Sequence, residues 1–303
     1  MNATLSPPAL ASAGAAAPVR KVLIGLIGAG IQKSLSPAMH EQEASQHGLR
    51  LHYQLIDLDR TEGASASDLP ALLQAARVMG YAGCNVTYPC KQAVLPLLDE
   101  LSDEARAMGA VNTVVIRDGR LIGHNTDGSG WARGFTRALP DANLSRVVLL
   151  GAGGAGAAIA HAALRLGVAE LRIVDTDAER VGRLVADVNA LYGARAAAVT
   201  DLAAAMADAT GLIHATPTGM DKLPGLPLDE ALLRADMWVS EVVYFPLDTA
   251  LLKAARAKGC RVSDGGGMAV GQAVGAFELF TGLVPDAARM EAHFRALVTA
   301  AKP

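Results

Sequence analysis

The chain has 303 residues, enough for one large domain or two of medium size. Hydrophobic residues make up 51% of it and charged residues 19%, so a sizeable buried core can form. A formal net charge of −3 provides neither a basic field for nucleic acid nor a strong acidic tail, which favours small-molecule chemistry.

Cysteine usage and the N-terminal segment indicate the type of compartment. Cys84, Cys90 and Cys260 form an odd, sparse set, which argues against a disulfide framework and predicts a cytoplasmic protein. Their spacing lacks the tight pairs of a zinc knuckle, so we expect no metal site. Residues 1–20 are rich in Ala, Ser and Pro and lack signal-peptide features, which predicts a disordered tail. The uncharged run at 147–164 is mostly Gly and Ala, so no membrane span is expected.

Strand and helix patterns alternate along the first half, which is typical of an α/β protein with mostly parallel sheets. Strands are predicted at Val22–Ile27, His52–Ile56 and Gly83–Val86, and helices at Pro37–Gly48, Asp68–Met79, Lys91–Leu98 and Asp103–Gly109. The runs VNTVVIR and RLIGHN flank Asp118-Gly119, which predicts a hairpin. A helix over Asp127–Ala138 follows, and the polar segment LPDANLS then separates the two halves.

The second half continues the same alternation. Its predicted strands are Val147–Leu150, LRIVD, Ala196–Thr200, Gly211–Ala215, Met237–Glu241 and Cys260–Ser263. Its predicted helices are an Ala-rich one ending at Gly167, one after Asp177, the stretch GMAVGQAVGAFELFTG, and Pro285–Ala300. No internal repeat of fixed period is visible.

The stretch VVLLGAGGAG at 147–156 satisfies the dinucleotide fingerprint. Gly151, Gly153 and Gly156 stand at the offsets needed for the tight turn, the pyrophosphate approach and the close helix–strand packing. The following helix can hold the anion at its N-terminus. Asp175 ends the next strand, where its carboxylate could accept hydrogen bonds from both ribose hydroxyls. The alternative is a Gly-rich turn used only for packing.

The similar stretch VLIGLIGAGI does not satisfy the fingerprint. Gly28 and Gly30 are present, but the third position is Lys33, and a proline delays the next helix to SPAMHEQEA. Ser34 and Ser36 stand just ahead of that helix, where two hydroxyls could bind a carboxylate. Ser36 could equally be a simple N-cap, and the residues alone leave both interpretations open.

Further motifs carry a resemblance. The segments GCNVTYPCKQAVLPLLD, GAVNTV and GHNTDGSGW present Asn85, Thr87, Lys91, Asn112 and Asp127. Together with SLSPAMH they resemble the shikimate dehydrogenase family, most of all its NAD-using quinate/shikimate dehydrogenase branch. ATPTGM, VVYFPLDTALLKAARAKGC and MAVGQAVGAFELFTG agree, so the resemblance runs from about Leu23 to Pro285.

This resemblance implies an α/β fold with an N-terminal α/β substrate domain, a Rossmann dinucleotide-binding domain, and a cleft between them. We place the disordered tail at 1–20 and the substrate-binding and catalytic domain at 21–126. The NAD-binding Rossmann domain is then 127–266. Residues 267–303 form C-terminal helices that pack back on the substrate domain.

The resemblance also assigns site residues. Lys91 and Asp127 form the catalytic pair. The substrate carboxylate is held by Ser34 and Ser36, its ring hydroxyls by Asn85, Thr87, Asn112 and Gln272, and Tyr244 lies near it. Cofactor binding falls to Gly151, Ala152, Gly153, Gly154, Ala155, Gly156, Asp175, Arg180, Thr216, Pro217, Val243, Gly265 and Met268. Without the resemblance, Lys91 reads as a solvated helix-start lysine, Asp127 as a helix cap and Asn112 as a turn residue.

The residues after the second glycine turn bear on the cofactor. Asp175-Thr176-Asp177 stands where many NADP-using relatives carry Asn-Arg-Thr, whose arginine would pair with the 2′-phosphate. Two carboxylates would repel that phosphate, so we predict NAD as the cofactor. Arg180, one helical turn farther on, could still reach the adenosine. His214 replaces the asparagine common before ATPxGM.

The function implied is an NAD-dependent oxidoreductase that interconverts shikimate and 3-dehydroshikimate, and also quinate and 3-dehydroquinate. A hydride moves at C3 and the Lys/Asp pair handles the proton. The expected partners are these small molecules, with neither nucleic acid nor membrane, in a monomer or homodimer. One alternative is a tetrahydrofolate-linked dehydrogenase of similar layout, but the pair Ser34 and Ser36 argues against it. Another is a non-catalytic NAD- or ligand-sensing protein with the same fold.

Overall fold

The computed structural model describes residues 19–300, so nearly all of the predicted tail lies outside the described residues. The first half forms one six-stranded sheet in the order β2-β1-β3-β5-β6-β4. Its strands are β1 (Lys21–Gly28), β2 (Arg50–Asp57), β3 (Gly83–Val86), β4 (Glu100–Leu101), β5 (Thr113–Arg117) and β6 (Arg120–His124). Its helices are α1 (Ser36–Gln46), α2 (Leu69–Val78), α3 (Cys90–Ala93) and α4 (Asp103–Met108).

Helix α5 (Asp127–Ala138) leads to a second six-stranded sheet, in the order β12-β11-β10-β7-β8-β9, all of whose strands pair in parallel. Its strands are β7 (Arg146–Leu150), β8 (Glu170–Val174), β9 (Ala196–Ala198), β10 (Gly211–His214), β11 (Trp238–Glu241) and β12 (Arg261–Ser263). The helices are α6 (Gly154–Leu166), α7 (Ala178–Tyr192), α8 (Leu202–Met206), α9 (Ala250–Ala257), α10 (Gly266–Thr281) and α11 (Ala287–Ala300). The predicted α/β fold with two parallel-rich sheets is confirmed.

The helix predicted at Lys91–Leu98 was wrong in its length. Helix α3 ends at Ala93, and a short 3₁₀ turn over Leu95–Leu97 follows. Pro96 causes the break, because it has no N–H to donate and its ring collides with the carbonyl one turn earlier. The predicted hairpin at Asp118-Gly119 is confirmed, with φ of 52° and 76° at its two central residues. The short elements β4, α8 and α9 were not predicted.

Helices α5 and α10 connect the two sheets and approach each other through facing glycines. A Cβ at Gly130 would lie 2.4 Å from the amide nitrogen of Gln272, and one at Gly134 would lie 2.5 Å from the carbonyl carbon of Gly267. Any side chain at these positions would force the helices apart. This contact fixes how one α/β unit sits on the other.

The C-terminal helices pack against the first sheet. Phe280 of α10 shares a buried cluster with Val22 and Ile24 of β1. Phe294 of α11 packs with Met39 of α1. The domain boundaries at 126/127 and 266/267 stay predictions. None of the helices within residues 19–300 is long and apolar enough to cross a bilayer.

Candidate active site

A cavity of about 860 Å³ opens where the two α/β units face each other. The loop after β1, the end of β3, helix α3 and the start of α5 line it from the first unit. The loop after β11 and helix α10 line it from the other side. Among its lining residues are Ser34, Ser36, Asn85, Thr87, Lys91, Asn112, Asp127, Ala155, Tyr244, Gly265, Met268 and Gln272. The elements thus bring together all nine residues assigned to catalysis and substrate.

The centre of the cavity is an ion pair between Lys91 and Asp127. The Lys91 Nζ lies 2.5 Å from Oδ2 of Asp127, and the Nδ2 of Asn112 donates to the other carboxylate oxygen at 2.8 Å. The Lys91 and Asp127 side chains are 29% and 11% exposed, so Lys91 is not a fully solvated lysine. Asp127 makes no capping hydrogen bond to α5, because its two carboxylate oxygens accept hydrogen bonds from Lys91 and Asn112.

A buried network fixes the amides beside this pair. The hydroxyl of Tyr53 donates to Oδ1 of Asn85 at 2.8 Å, and Nδ2 of Asn85 donates to Oγ1 of Thr113 at 2.9 Å. Asn112 accepts the Thr126 amide at its Oδ1, 2.9 Å, and is 4% exposed, so its side chain belongs to the buried network. Burial raises the pKa of Tyr53, which keeps its hydroxyl a donor. Sequence reasoning missed Tyr53, whose only signal was its inward position in the alternation of β2.

Ser34 and Ser36 line the cavity at the start of α1. The N-cap of α1 is Leu35, and no side chain caps the helix, so the interpretation of Ser36 as an N-cap was wrong. Instead, the amide of Ser36 donates to Oγ of Ser34 at 3.3 Å. Both serine hydroxyls can still donate to a bound anion at this helix N-terminus.

Gln272 and Tyr244 complete the polar lining. The Nε2 of Gln272 donates to the Ala269 carbonyl at 3.0 Å, which leaves its Oε1 free to accept. Tyr244 is 48% exposed. Desolvation raises the pKa of the Tyr244 phenol while the nearby charge of Lys91 opposes the shift, so the phenol stays protonated at neutral pH.

The second glycine turn has the shape that a dinucleotide needs. Gly151 has φ of +102°, and a Cβ there would lie 2.7 Å from the carbonyl oxygen of Ala215. A Cβ at Gly156 would lie 2.0 Å from the carbonyl oxygen of Gly151, so this glycine permits close packing of helix on strand. At Gly153 and Gly154 a Cβ would meet nothing within 4 Å, which leaves open space in front of the N-terminus of α6. These residues fit a pyrophosphate.

Asp175 follows β8 and is held against this turn. Its Oδ2 accepts the Ala152 amide at 2.7 Å and its Oδ1 accepts the Asp177 amide at 3.0 Å. Desolvation would raise the pKa of Asp175, but these amides and the charge of Arg180 together lower it below its ordinary value. Arg180 pairs with Asp177 at 2.9 Å and lies 3.8 Å from Asp175. The carboxylate is therefore anionic at neutral pH.

The remaining cofactor-side residues differ in position. Ala155, Gly265 and Met268 line the cavity, whereas Thr216, Pro217 and Val243 are not among its lining residues in the described chain. Thr216, Pro217 and Val243 lie just beyond the ends of β10 and β11.

A buried group that sequence reasoning left without a role joins those strand ends. His214 contacts Oε1 of Glu241 through Nδ1 at 2.8 Å and Oγ1 of Thr216 through Nε2 at 2.5 Å. Glu241 also accepts the Val243 amide at 3.0 Å and the Thr249 hydroxyl at 2.9 Å. The network ties the loops after β10 and β11 into one unit. Within residues 19–300 there is no cluster of three or more His, Cys, Asp or Glu that could hold a metal ion.

A glycine turn that ends the first strand of one α/β unit, opposite a second unit across a cavity, defines the class of two-domain, dinucleotide-dependent dehydrogenases. Family models agree with this class. Residues 26–114 match the shikimate dehydrogenase substrate binding domain, and residues 265–293 match the shikimate 5′-dehydrogenase C-terminal domain. A curated relative, the shikimate dehydrogenase (NADP(+)) of Streptomyces avermitilis, is 55% identical over 91% of this chain and 95% of its own length. The chain belongs to the shikimate dehydrogenase family, as its motifs predicted.

Two solved structures extend the comparison. The quinate dehydrogenase from Corynebacterium glutamicum in complex with NAD superposes with a TM-score of 0.88 at 47% identity, covering 91% of this chain and 99% of that one. The ligand-free 5-ketofructose reductase of a Gluconobacter strain superposes with a TM-score of 0.81 at 33% identity, covering 92% and 99%. Proteins similar to this chain are therefore named for different substrates and different cofactors.

Proposed function

We propose that this protein is an NAD-dependent dehydrogenase that interconverts shikimate and 3-dehydroshikimate, and quinate and 3-dehydroquinate. The observation that carries the proposal is the Lys91–Asp127 pair, placed in one cavity with Ser34, Ser36 and the amide side chains. A polyhydroxy acid presents a carboxylate and several ring hydroxyls, which match these donors and acceptors in kind.

The bound acid is oriented from its two ends. Ser34 and Ser36 donate to its carboxylate at the N-terminus of α1, where the helix dipole also favours a negative charge. Asn112 and Gln272 contact its hydroxyl groups. Hydrogen bonds within the protein already hold both side chains, so these side chains lose little conformational entropy when the substrate binds.

The proton is handled by Lys91 and Asp127. The Lys91 ammonium and the Asp127 carboxylate are in direct contact, so a substrate hydroxyl that reaches one of them also meets the other as an acid–base partner. Asn112 holds the second oxygen of Asp127, which keeps the carboxylate aimed at the lysine. The nicotinamide cofactor, when bound, supplies the hydride acceptor. Gly265 and Met268 line the cavity on the side where its ring would lie.

The proposal of NAD rests on the charges after β8. Asp175 and Asp177 are both carboxylates, and Arg180 already pairs with Asp177. A 2′-phosphate would have to break that ion pair and lie beside two negative charges. The ribose of NAD instead offers hydroxyl donors that Asp175 can accept. The NAD complex of the Corynebacterium relative supports this proposal, and the NADP-named Streptomyces relative makes a direct test necessary.

The test is an assay of shikimate, quinate and 5-ketofructose with each cofactor, followed by the absorbance of the reduced nicotinamide. We expect turnover of both acids, with a higher kcat/KM for NAD than for NADP. A higher kcat/KM with NADP overturns the cofactor proposal alone. No turnover of either acid overturns the whole proposal and favours a ligand-sensing role, whereas turnover of 5-ketofructose alone points to a sugar reductase.

A pair of variants sharpens the cofactor test. Asp175→Asn combined with Thr176→Arg removes one carboxylate and adds the cation that NADP-using relatives carry at that place. This variant should raise kcat/KM for NADP and lower it for NAD. Glu179→Gln, which removes an exposed carboxylate in the first turn of the following helix α7, serves as the matched control and should change neither value.

A further inference from the structure

The charges that line the cavity do not cancel. Lys33, Lys91 and Asp127 are its charged lining residues. Lys91 and Asp127 neutralise each other across their 2.5 Å contact. Lys33 is exposed, and none of the ion pairs among residues 19–300 includes it. Lys33 is therefore the one charged residue lining this cavity, within residues 19–300, that has no ion-pair partner, and it directly precedes Ser34.

The loop that carries Lys33 is held in place. The amide of Gly30 donates to Oδ1 of Asp57 at 2.9 Å, and Nε2 of Gln32 donates to Oδ2 of the same carboxylate at 2.9 Å. Asp57 is not among the cavity-lining residues, so its charge faces the loop and not the bound substrate. Ser34 follows Lys33 directly and both residues line the cavity, so the Lys33 side chain can bring its ammonium to a carboxylate bound at the serine hydroxyls.

We propose that Lys33 is a specificity residue, whose ammonium attracts the substrate carboxylate and makes the cavity select monoanionic polyhydroxy acids over uncharged polyols. The inference rests on the proposed function and names the charge that its substrates must carry. Hydroxyl and amide groups donate to acids and alcohols alike, so apart from the dipole of α1 they do not distinguish an acid from a polyol. An ammonium among the lining residues favours the acid over the polyol, and it also raises the rate of encounter with an anion.

The comparison with the Gluconobacter reductase shows why such a residue is needed. Its substrate by name, 5-ketofructose, is an uncharged sugar, so the shared fold by itself does not decide whether an acid or a neutral polyol binds. The decision has to come from side chains that line the cavity. Lys33 lies next to the serine motif but outside the residues to which the motif assigns a role.

Variants of Lys33 with different charge test the inference. Lys33→Met removes the charge and keeps the length, Lys33→Arg keeps the charge, and Lys33→Glu reverses it. For Lys33→Met, KM for shikimate should rise about three- to tenfold and kcat should change less than KM, as expected for a partly exposed ion pair. Lys33→Arg should restore the KM, and Lys33→Glu should raise it further. KM for NAD should stay constant throughout.

Two further measurements isolate the carboxylate. Raising the salt from about 0.02 M to about 0.3 M NaCl should raise KM of the wild type and change KM of Lys33→Met much less. The methyl ester of shikimate, which carries no charge, should have the same KM in both proteins. Lys258→Met, which removes an exposed lysine at the end of α9, is the matched control and should behave as the wild type.

The results separate this inference from the proposed function. Turnover of the acids together with an unchanged KM in Lys33→Met overturns the role of Lys33 and leaves the dehydrogenase in place. An equal loss for the acid and its methyl ester also overturns it, because the defect would then be one of shape. Absence of turnover in the wild type overturns the proposed function on which the inference rests.

Discussion

The glycine stretches at 22–31 and 147–156 both end a buried parallel strand, yet Gly153 of the second faces open space where Gly28 of the first meets protein atoms. In the second stretch, a Cβ at Gly153 would meet nothing within 4 Å, so the space is left open for a ligand. In the first, a Cβ at Gly28 would lie 2.3 Å from Cγ2 of Thr87 and 3.0 Å from the carbonyl oxygen of Tyr88. The protein fills that space itself, with the segment that leads to Lys91.

The two helices that follow reflect the same difference. Helix α6 begins at Gly154, directly after the turn, so its first amides face the open space. Helix α1 begins only at Ser36, and the intervening loop carries Lys33 and Ser34 into the cavity. A glycine after a strand therefore marks a position where another group can lie close to the backbone. The rest of the fold decides whether that group is a segment of the protein or a ligand.

The largest effect on turnover is expected at Lys91, which ends the segment that packs against Gly28. Lys91→Ala should lower kcat by about 10²- to 10⁴-fold, because the proton-transfer pair is broken. Binding of NAD, measured by calorimetry, should stay unchanged, because the glycine turn is formed by another unit. Lys222→Ala, an exposed lysine, is the control. Near-normal turnover in Lys91→Ala would remove Lys91 from the mechanism.

A methyl group added at Gly28, in the first stretch, should displace the segment 87–91 that carries Lys91. Gly28→Ala puts a Cβ against backbone at Tyr88, which cannot rotate away, so the 87–91 segment must shift. We expect kcat/KM for shikimate to fall about ten- to a hundredfold, as for a displacement near 1 Å, with NAD affinity retained. Gly182→Ala, where a Cβ meets nothing within 4 Å on a helix, controls for the substitution itself. Equal loss of NAD affinity in Gly28→Ala would mean that both stretches bind the cofactor.

The same methyl group in the second stretch should have the complementary effect. Gly153→Ala adds a Cβ in open space, so the free energy of unfolding without cofactor should change by less than about 0.5 kcal/mol. KM for NAD should rise about tenfold, because the methyl occupies the path of the pyrophosphate. KM for shikimate should not change. An unaltered KM for NAD would show that the pyrophosphate lies elsewhere.

The sequence was informative wherever a motif and its local context agreed. Helix α5 has the bounds predicted for it, Asp127–Ala138, and Lys91 lies beside Asp127 although the two are separated by 36 positions. Strand and helix patterns also placed both sheets, because burial on one face leaves a periodic trace.

The features that the sequence could not show depend on contacts between distant segments. The hydrogen bond of Tyr53 to Asn85 and the close approach of Gly134 to Gly267 each join distant parts of the chain. No motif in the sequence around these residues indicates either contact. The fingerprint already separated the two glycine stretches, but the groups that pack against Gly28 became visible only from the structure. A pattern along the chain records which face is buried, but not what lies against it.

The smallest effect on turnover is expected in the helix that follows the first stretch. The side chain of Glu43 in α1 is 1% exposed and accepts from Arg289 at 2.6 Å and from the Asp286 amide at 2.8 Å. Desolvation would raise the pKa of Glu43, but Arg289, the Asp286 amide and His47 together lower it below 4.5. A carboxyl with a lowered pKa stabilises the fold above its ordinary pKa, and this stabilisation is lost as the pH falls through the lowered value.

Glu43→Gln should therefore unfold more easily than the wild type at pH 7, by on the order of 2 kcal/mol in urea titrations. The difference should shrink as the pH is lowered below about 4.5, where the wild-type carboxyl also becomes neutral. Glu179→Gln, which breaks an exposed pair with Arg183, should show almost no difference at either pH. If the deficit of Glu43→Gln were the same at both pH values, its cause would be packing and not charge. Since α1 would still begin at Ser36, kcat should change little in either case.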